Sequence, residues 1–124
     1  MDVINQELDF LKDKPVIDLP LGIKLAGGNQ ALALDMLAML SRDLPENLSN
    51  IKQLAKNTEY SALKDAVHKL HGAACYCGTP RLKSLLFRLE SDLKNHIMES
   101  LPSLLNQLDI EVTLLLEQHS HLHI

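Results

Sequence analysis

The sequence has 124 residues, a length that suits one domain and allows it to bury a core without disulfides. Its composition is 46% hydrophobic but includes no Trp, two Phe and two Tyr, so the core must be aliphatic, which favours packed helices over a sheet. The net charge of −4, with Lys and Arg scattered along the chain, argues against a nucleic-acid partner, and no apolar run approaches the length that crosses a bilayer.

The chain begins with a segment, residues 1–14, that lacks the basic start and the uninterrupted apolar stretch of a secretory signal. We expect this segment to be an N-terminal extension or linker. Pro15 and Pro20 then precede a short helical stretch, Leu21–Leu25. Asn29 fits the N-cap position of the helix that follows it.

The longest helix is predicted over Gln30–Lys56, where apolar residues recur at intervals of three and four. Pro45 falls inside this range, and a proline there removes one backbone donor and clashes with the preceding turn. We therefore expect one bent helix. The predicted core positions are Leu32, Met36, Leu37, Leu40, Leu44, Leu48, Ile51 and Leu54.

A second helix is predicted from about Glu59 to Tyr76, with Gly78 as its stop. Thr79 and Pro80 then have the pattern of an N-cap followed by proline at the first helical position, which starts a third helix. The buried stripe of the second helix is Leu63, Val67, Leu70, Ala74 and Cys77, and that of the third is Leu82, Leu85, Leu86, Leu89 and Leu93.

A fourth helix, from about Ser100 to Glu117, carries its own apolar stripe. Four amphipathic helices with short connections bury their stripes most simply in an antiparallel bundle. The predicted fold is therefore all-α, an antiparallel four-helix bundle over residues 15–119 with a short extra N-terminal helical segment. Residues 120–124 are expected to be a solvated tail.

His68 lies on the second helix at about 140° from the centre of its apolar stripe, which predicts a solvent-facing side chain. A packed or merely solvated histidine is the ordinary interpretation of such a residue. Gly72, one turn later, favours a functional role for His68. A glycine inside a helix costs up to ~1 kcal/mol relative to alanine, so its presence there needs a reason. Any side chain at position 72 would be expected to crowd the imidazole, so the glycine leaves room for a group attached to His68.

The residues around His68 resemble the signature of the histidine-containing phosphotransfer (HPt) family. The resemblance covers this helix, the turn after it and the next helix by motif, and the remaining helices by pattern. It is similar above all to the HPt modules that end BarA-type tripartite hybrid sensor histidine kinases. The matching positions are Val67-His68-Lys69-Leu70-His71-Gly72-Ala73-Ala74, Tyr76, Gly78, Pro80-Arg81-Leu82 and Leu89-Glu90.

The resemblance implies that His68 is the phosphoacceptor. Glu90 matches a position that accepts a hydrogen bond from the imidazole and so orients it, leaving Nε2 as the nucleophile. His71 stands where the family commonly has a lysine that holds the phosphoryl oxygens, and a histidine is charged only part of the time near neutral pH. Lys64 and Lys94 could share this cationic role.

The resemblance further implies that the partners are response-regulator receiver domains, one as phosphodonor and one as acceptor. No cofactor is expected on this chain, since the receiver would supply Mg²⁺. The domain would then be a carrier and co-substrate rather than an independent enzyme, and it would belong to a hybrid sensor kinase if it is an excised module. The predicted receiver-binding and phosphate-binding set is Lys64, Lys69, Gly72, Cys75, Lys83, Phe87 and Lys94.

Two other kinds of function remain open from the residues alone. His68, His71 and Cys75 share one helical flank at spacings that permit metal coordination, although a fourth ligand is lacking. A purely structural, partner-binding bundle is the other alternative. Cys75 and Cys77 are too close in sequence for a useful disulfide, which favours thiols in the cytoplasm. Such a location is compatible with a parent protein anchored in the inner membrane.

Overall fold

Five α-helices and a short 3-10 turn form the structure, a computed structural model that describes residues 9–122. No strand occurs among these residues, and the predicted all-α class is confirmed. None of the helices they form has the length and apolar character needed to cross a bilayer. The elements are the 3-10 turn Asp9–Asp13, α1 Leu19–Leu25, α2 Gln30–Lys56, α3 Tyr60–Ala74, α4 Pro80–Lys94 and α5 Leu101–Ser120.

The helices α2 to α5 pack in a closed ring, in which each contacts the helix before and after it and α2 also contacts α5. Because consecutive helices are joined by short turns, neighbours run antiparallel. The helix α1 packs against α2, and the 3-10 turn contacts α4. This arrangement is the predicted four-helix bundle with a short extra N-terminal helical segment.

The ends of the helices follow from local chemistry. The Asn29 side chain accepts a hydrogen bond from the Leu32 amide at 3.0 Å, as an N-cap should, so this predicted cap is confirmed. The predicted range of α2 is also confirmed, and the helix continues through Pro45. Thr79 occupies the N-cap position of α4, but its hydroxyl donates to the Ala74 carbonyl oxygen at 3.4 Å instead of accepting from the helix.

The core is built mainly from leucine. The predicted stripes of α3 and α4 are all buried, which orients both helices as expected. Leu32 was predicted to be buried but is 45% exposed, because the inward-facing residue in the first turn of α2 is Ala33. Leu11 is buried in the same core, although it lies in the predicted extension 1–14. The domain limits at residues 14 and 119 stay predictions, and the last two residues of the predicted tail lie outside the described range.

Gly78 fixes the turn after α3 against the N-terminal helix α1. Its φ of +63° is left-handed, and its carbonyl oxygen accepts a hydrogen bond from the Asp18 amide at 2.8 Å. A Cβ at this position would lie 2.5 Å from the Asp18 carbonyl oxygen and 2.7 Å from the Gly22 amide nitrogen. Only glycine permits both the conformation and the close approach.

A buried ion pair joins the start of α4 to α5. Arg81 Nη2 donates to Glu111 Oε2 at 2.6 Å, and Gln107 Nε2 donates to the same oxygen at 2.7 Å. Glu111 is 1% exposed, so its carboxylate has lost its contact with water. The hydrogen bonds from Arg81 and Gln107 offset the free-energy cost of burying this charge. Its Oε1 and the Arg81 Nε have no hydrogen-bond partner among the described residues.

Candidate functional site

His68 lies in the middle of α3, on the side opposite the buried stripe. Its neighbour Val67 is fully buried and holds this part of the helix against the core, while the His68 side chain is 72% exposed. The predicted solvent-facing position is therefore observed. An imidazole placed in this way can be reached by another protein without any movement of the bundle.

The carboxylate of Glu90, on the adjacent helix α4, holds the exposed imidazole. Glu90 Oε2 lies 2.5 Å from His68 Nδ1, and the Glu90 side chain is only 17% exposed. A carboxylate accepts at this distance, so Nδ1 carries the proton and the lone pair of the neutral ring lies on Nε2. In a neutral ring the free lone pair is therefore on the nitrogen that Glu90 does not contact.

His71 lies one turn further along α3 and contacts the same carboxylate. Its Nδ1 is 3.3 Å from Glu90 Oε1, so the two oxygens of Glu90 face two different histidines. Its Nε2 is 3.7 Å from Cys75 Sγ, and its ring is tilted against Phe87 with 5.9 Å between ring centroids. His71 is thus 17% exposed and has a neighbour at each ring nitrogen.

Gly72 is exposed and leaves open space above α3. A Cβ added there would meet nothing within 4 Å. The expectation that any side chain at this position would crowd the imidazole is therefore wrong for a methyl group. The glycine leaves this part of the α3 surface open, and its expected role in making room for a group on His68 stays a prediction.

A shallow depression beside the imidazole is formed by α3 and α4. Its lining includes Lys94, so this lysine lies near the predicted phosphoacceptor, and its cationic role stays a prediction. Ser91 was not singled out in the sequence, although it lies four residues after Phe87 on the same helical face, a spacing that could have indicated it. The depression is lined by His68, His71, Phe87, Glu90, Ser91 and Lys94.

A neighbouring groove extends this surface along α4. Lys83, Phe87 and Arg88 line it together with His71. Phe87 is 64% exposed, which agrees with the predicted projection away from the leucine stripe. Several of the residues expected to contact a partner thus form one continuous surface around His68.

Two other predicted lysines are placed differently. Lys69 lines a separate groove between α2 and α3, where Asp43 and Glu46 are its acidic neighbours. This placement gives no support to a contact between Lys69 and a phosphoryl group. Lys64 is half-buried one turn before His68, and its share in the cationic role stays a prediction.

The structure gives no support to the metal-binding alternative. In the part of the chain from residue 9 to residue 122, no three side chains of His, Cys, Asp or Glu are grouped so that they could hold a metal ion. His68 and His71 both turn Nδ1 towards Glu90. Cys75 and Cys77 are free thiols, and burial raises the pKa of Cys77 above its ordinary value.

Comparison with known proteins agrees with this geometry. A family model described as Hpt domain matches residues 35–118. The sensor protein GacS of Pseudomonas syringae pv. syringae is 38% identical over 105 residues, which are 85% of this chain and 12% of that protein. The signal transduction histidine-protein kinase BarA of Escherichia coli (strain K12) is 34% identical over 111 residues, which are 86% of this chain and 12% of that protein.

A solved structure of the HPT domain from the Hpt sensor hybrid histidine kinase from Shewanella has a TM-score of 0.76 to this structure and 33% identity. The match covers 85% of this chain and 91% of that chain. The chain spans 12% of the length of the curated relatives described above. Since the family model covers more than half of the chain and the solved domain matches over most of its length, the chain belongs to the Hpt family of histidine phosphotransfer domains that act in two-component phosphorelays.

Proposed function

We propose that His68 is the phosphoryl carrier of this domain, which accepts the group from the aspartyl phosphate of one receiver domain and passes it to the aspartate of another. The hydrogen bond between His68 Nδ1 and Glu90 carries this proposal. It leaves the Nε2 lone pair on an imidazole that is largely exposed to an incoming partner.

The chemistry follows from that tautomer. The Nε2 lone pair attacks the phosphorus, the bond from phosphorus to the aspartyl oxygen breaks, and the aspartate leaves as a carboxylate. The imidazole then carries the phosphoryl group on Nε2 and the proton on Nδ1, so the ring is positively charged. Glu90 stabilises this charge across the short hydrogen bond. Onward transfer to the second receiver reverses the same steps.

The receiver domains supply what the carrier does not. Phosphoryl transfer has a loose transition state, so its catalysis consists mainly of positioning and charge stabilisation. A Mg²⁺ ion held by the receiver would supply neutralisation of the charge that develops on the phosphoryl oxygens. Lys94 is the cationic side chain in the depression beside His68, and it is suited to contact the same oxygens from the carrier side.

The surface around His68 is the proposed receiver-docking face, defined as Gly72, Cys75, Lys83, Phe87 and Lys94 around the imidazole. Gly72 and the exposed ring of Phe87 leave it open and partly apolar. Lys83 and Lys94 give it positive charge, which suits the acidic phosphorylation site of a receiver. Lys64 lies one turn before His68 and is a further candidate at its edge.

The decisive experiment is transfer from a panel of phosphorylated receiver domains to the full chain in the presence of Mg²⁺. We expect an acid-labile, alkali-stable label on the wild-type chain and none on His68→Gln. His121→Gln, which changes an exposed histidine at the end of α5, is the matched control and should be labelled normally. A label that persists in His68→Gln would refute the assignment of the phosphoacceptor.

The orienting role of Glu90 has its own test. Glu90→Ala should slow transfer by roughly tenfold to a hundredfold, the range found when partners that orient metal-binding histidines are removed. Glu90→Gln keeps an oxygen that can accept from Nδ1 and should retain more activity. The helical CD spectrum should stay nearly unchanged in both variants. Transfer at the wild-type rate in Glu90→Ala would show that Glu90 does not orient the imidazole.

We further propose that the domain works in the cytoplasm as one module of a longer sensor kinase whose other parts can be anchored in the inner membrane. Its two cysteines are free thiols, which suits a reducing compartment. The relatives are named as a sensor protein and a histidine-protein kinase and are much longer than this chain. Fractionation of cells with an antibody against this domain tests the location.

A further inference from the structure

We propose that His71 is a positioning residue that acts on His68 through Glu90, rather than a ligand of the phosphoryl group. This inference rests on the proposed function of His68 and concerns the same site. It assigns a different task to the position where the resemblance predicted a phosphate neighbour. Three features of the structure support it: the shared carboxylate, the fixed ring of His71 and its small exposure.

The first step is the division of the Glu90 carboxylate between two histidines. Oε2 is 2.5 Å from His68 Nδ1, and Oε1 is 3.3 Å from His71 Nδ1. A carboxylate that is held at only one oxygen can rotate about the bond that joins it to the rest of the side chain. Such a rotation weakens or breaks the hydrogen bond at that oxygen. The contact of His71 Nδ1 with Oε1 is a polar contact rather than a formed hydrogen bond, but its attraction for the second oxygen opposes this rotation, so His71 helps to keep Oε2 directed at His68.

The second step is that His71 is itself held in place. Its ring packs against Phe87 at 5.9 Å, and its Nε2 lies 3.7 Å from Cys75 Sγ. If Nδ1 of a neutral ring donates to Glu90, Nε2 is an acceptor, and the Cys75 thiol can donate to it. These contacts favour the tautomer of His71 that has its proton directed at Glu90.

The third step concerns what His71 does not do. Both of its ring nitrogens are turned to protein neighbours, and the side chain is 17% exposed compared with 72% for His68. A phosphoryl group on His68 Nε2 would be attached to a side chain that is largely exposed. His71 and Lys94 both line the depression beside His68, but to turn a ring nitrogen to the phosphoryl group His71 would have to give up its contact with Glu90 or with Cys75.

Two substitutions of His71 separate the positioning role from a packing role. His71→Asn places an amide nitrogen where Nδ1 was, so a donor to Glu90 remains although the ring is lost. His71→Phe keeps an aromatic ring against Phe87 but has no donor. The positioning role therefore requires His71→Asn to resemble the wild type and His71→Phe to resemble Glu90→Ala. A packing role requires the reverse order.

The direct measurement is the tautomer of His68 in the unphosphorylated full chain, obtained from ¹⁵N chemical shifts in mildly alkaline solution. We expect the Nδ1–H form in the wild type and in His71→Asn, and a shift towards the Glu90→Ala spectrum in His71→Phe. Transfer from a phosphorylated receiver should follow the same order, with a loss of about tenfold in His71→Phe.

The inference is overturned if His68 keeps its wild-type tautomer in His71→Phe, or if His71→Asn is as impaired as His71→Phe. The tautomer is measured without any phosphoryl group, so its outcome does not depend on where the label goes. Failure of the phosphoacceptor assignment would instead appear as a label that survives His68→Gln. The two failures are thus distinguishable in one set of variants.

Discussion

Replacing Gly78 by alanine should loosen the N-terminal helix α1 from the bundle. A left-handed backbone costs an alanine about 1 kcal/mol relative to glycine. The added Cβ would also lie 2.5 Å from the Asp18 carbonyl oxygen and 2.8 Å from the Gly22 Cα, both backbone atoms that cannot rotate away. Overpacking of this kind costs about 1 to 3 kcal/mol. We therefore expect the free energy of unfolding to fall by about 3 kcal/mol, a large part of the 5 to 15 kcal/mol typical of a small domain.

Gly27→Ala is the matched control for this prediction. Gly27 has a similar φ of +70°, but a Cβ there would meet nothing within 4 Å, so only the backbone cost of about 1 kcal/mol applies. Urea unfolding followed by far-UV CD gives both free energies. Equal losses in the two variants would show that α1 moves away from the turn at little cost and would refute the argument from close packing.

Three further predictions concern other parts of the structure. Arg81→Ala leaves the buried Glu111 carboxylate without its cation and should lower the free energy of unfolding by about 3 kcal/mol, measured by urea unfolding. Cys75 should be alkylated by iodoacetamide well before Cys77, measured by mass spectrometry, because the raised pKa of Cys77 leaves less thiolate at a given pH and its side chain is buried. Phe87→Ala should raise the receiver concentration that gives the half-maximal transfer rate more than it lowers the maximal rate, measured by varying the receiver.

Each of these predictions has a clear contrary outcome. The double variant Arg81→Met with Glu111→Leu removes both charges, so it should recover most of the stability lost in Arg81→Ala. A double variant as unstable as Arg81→Ala would contradict the ion-pair argument. Equal alkylation of both thiols in the folded chain would contradict the burial of Cys77. An unchanged receiver dependence in Phe87→Ala would remove this side chain from the docking face.

The helices and the exposed side of α3 could be predicted because they depend on local patterns. The three-and-four spacing of leucines determines which face of a helix is buried, and it placed His68 in solvent. Asn29 as an N-cap followed from the chemistry of a single side chain. The prediction for Leu32 is wrong because the same spacing allows two starting points for the stripe in a first turn, and the residue that is buried there is Ala33.

Helical periodicity alone could not predict the contacts between helices, because they depend on how one helix is rotated and shifted along its neighbour. The contact of Glu90 with His68 was expected only from the family resemblance. A helical wheel gives the direction of Glu90 on α4, but it does not show that one carboxylate meets both His68 and His71. The buried pair of Arg81 with Glu111 joins residues 30 positions apart and has no local signal. Lys69 lies next to His68 in sequence, yet the 100° turn per residue directs it to another groove.

The Glu90 carboxylate belongs to a different helix from the histidine that it orients, and this makes the reactive tautomer a property of tertiary structure. A peptide with the sequence of α3 alone would keep the imidazole but lose the acceptor that holds the proton on Nδ1. Conditions that separate α3 from α4 should therefore abolish phosphoryl transfer before helical content is lost. The rate of labelling becomes a chemical probe of how closely these two helices are packed, and it reports on folding as well as on signalling.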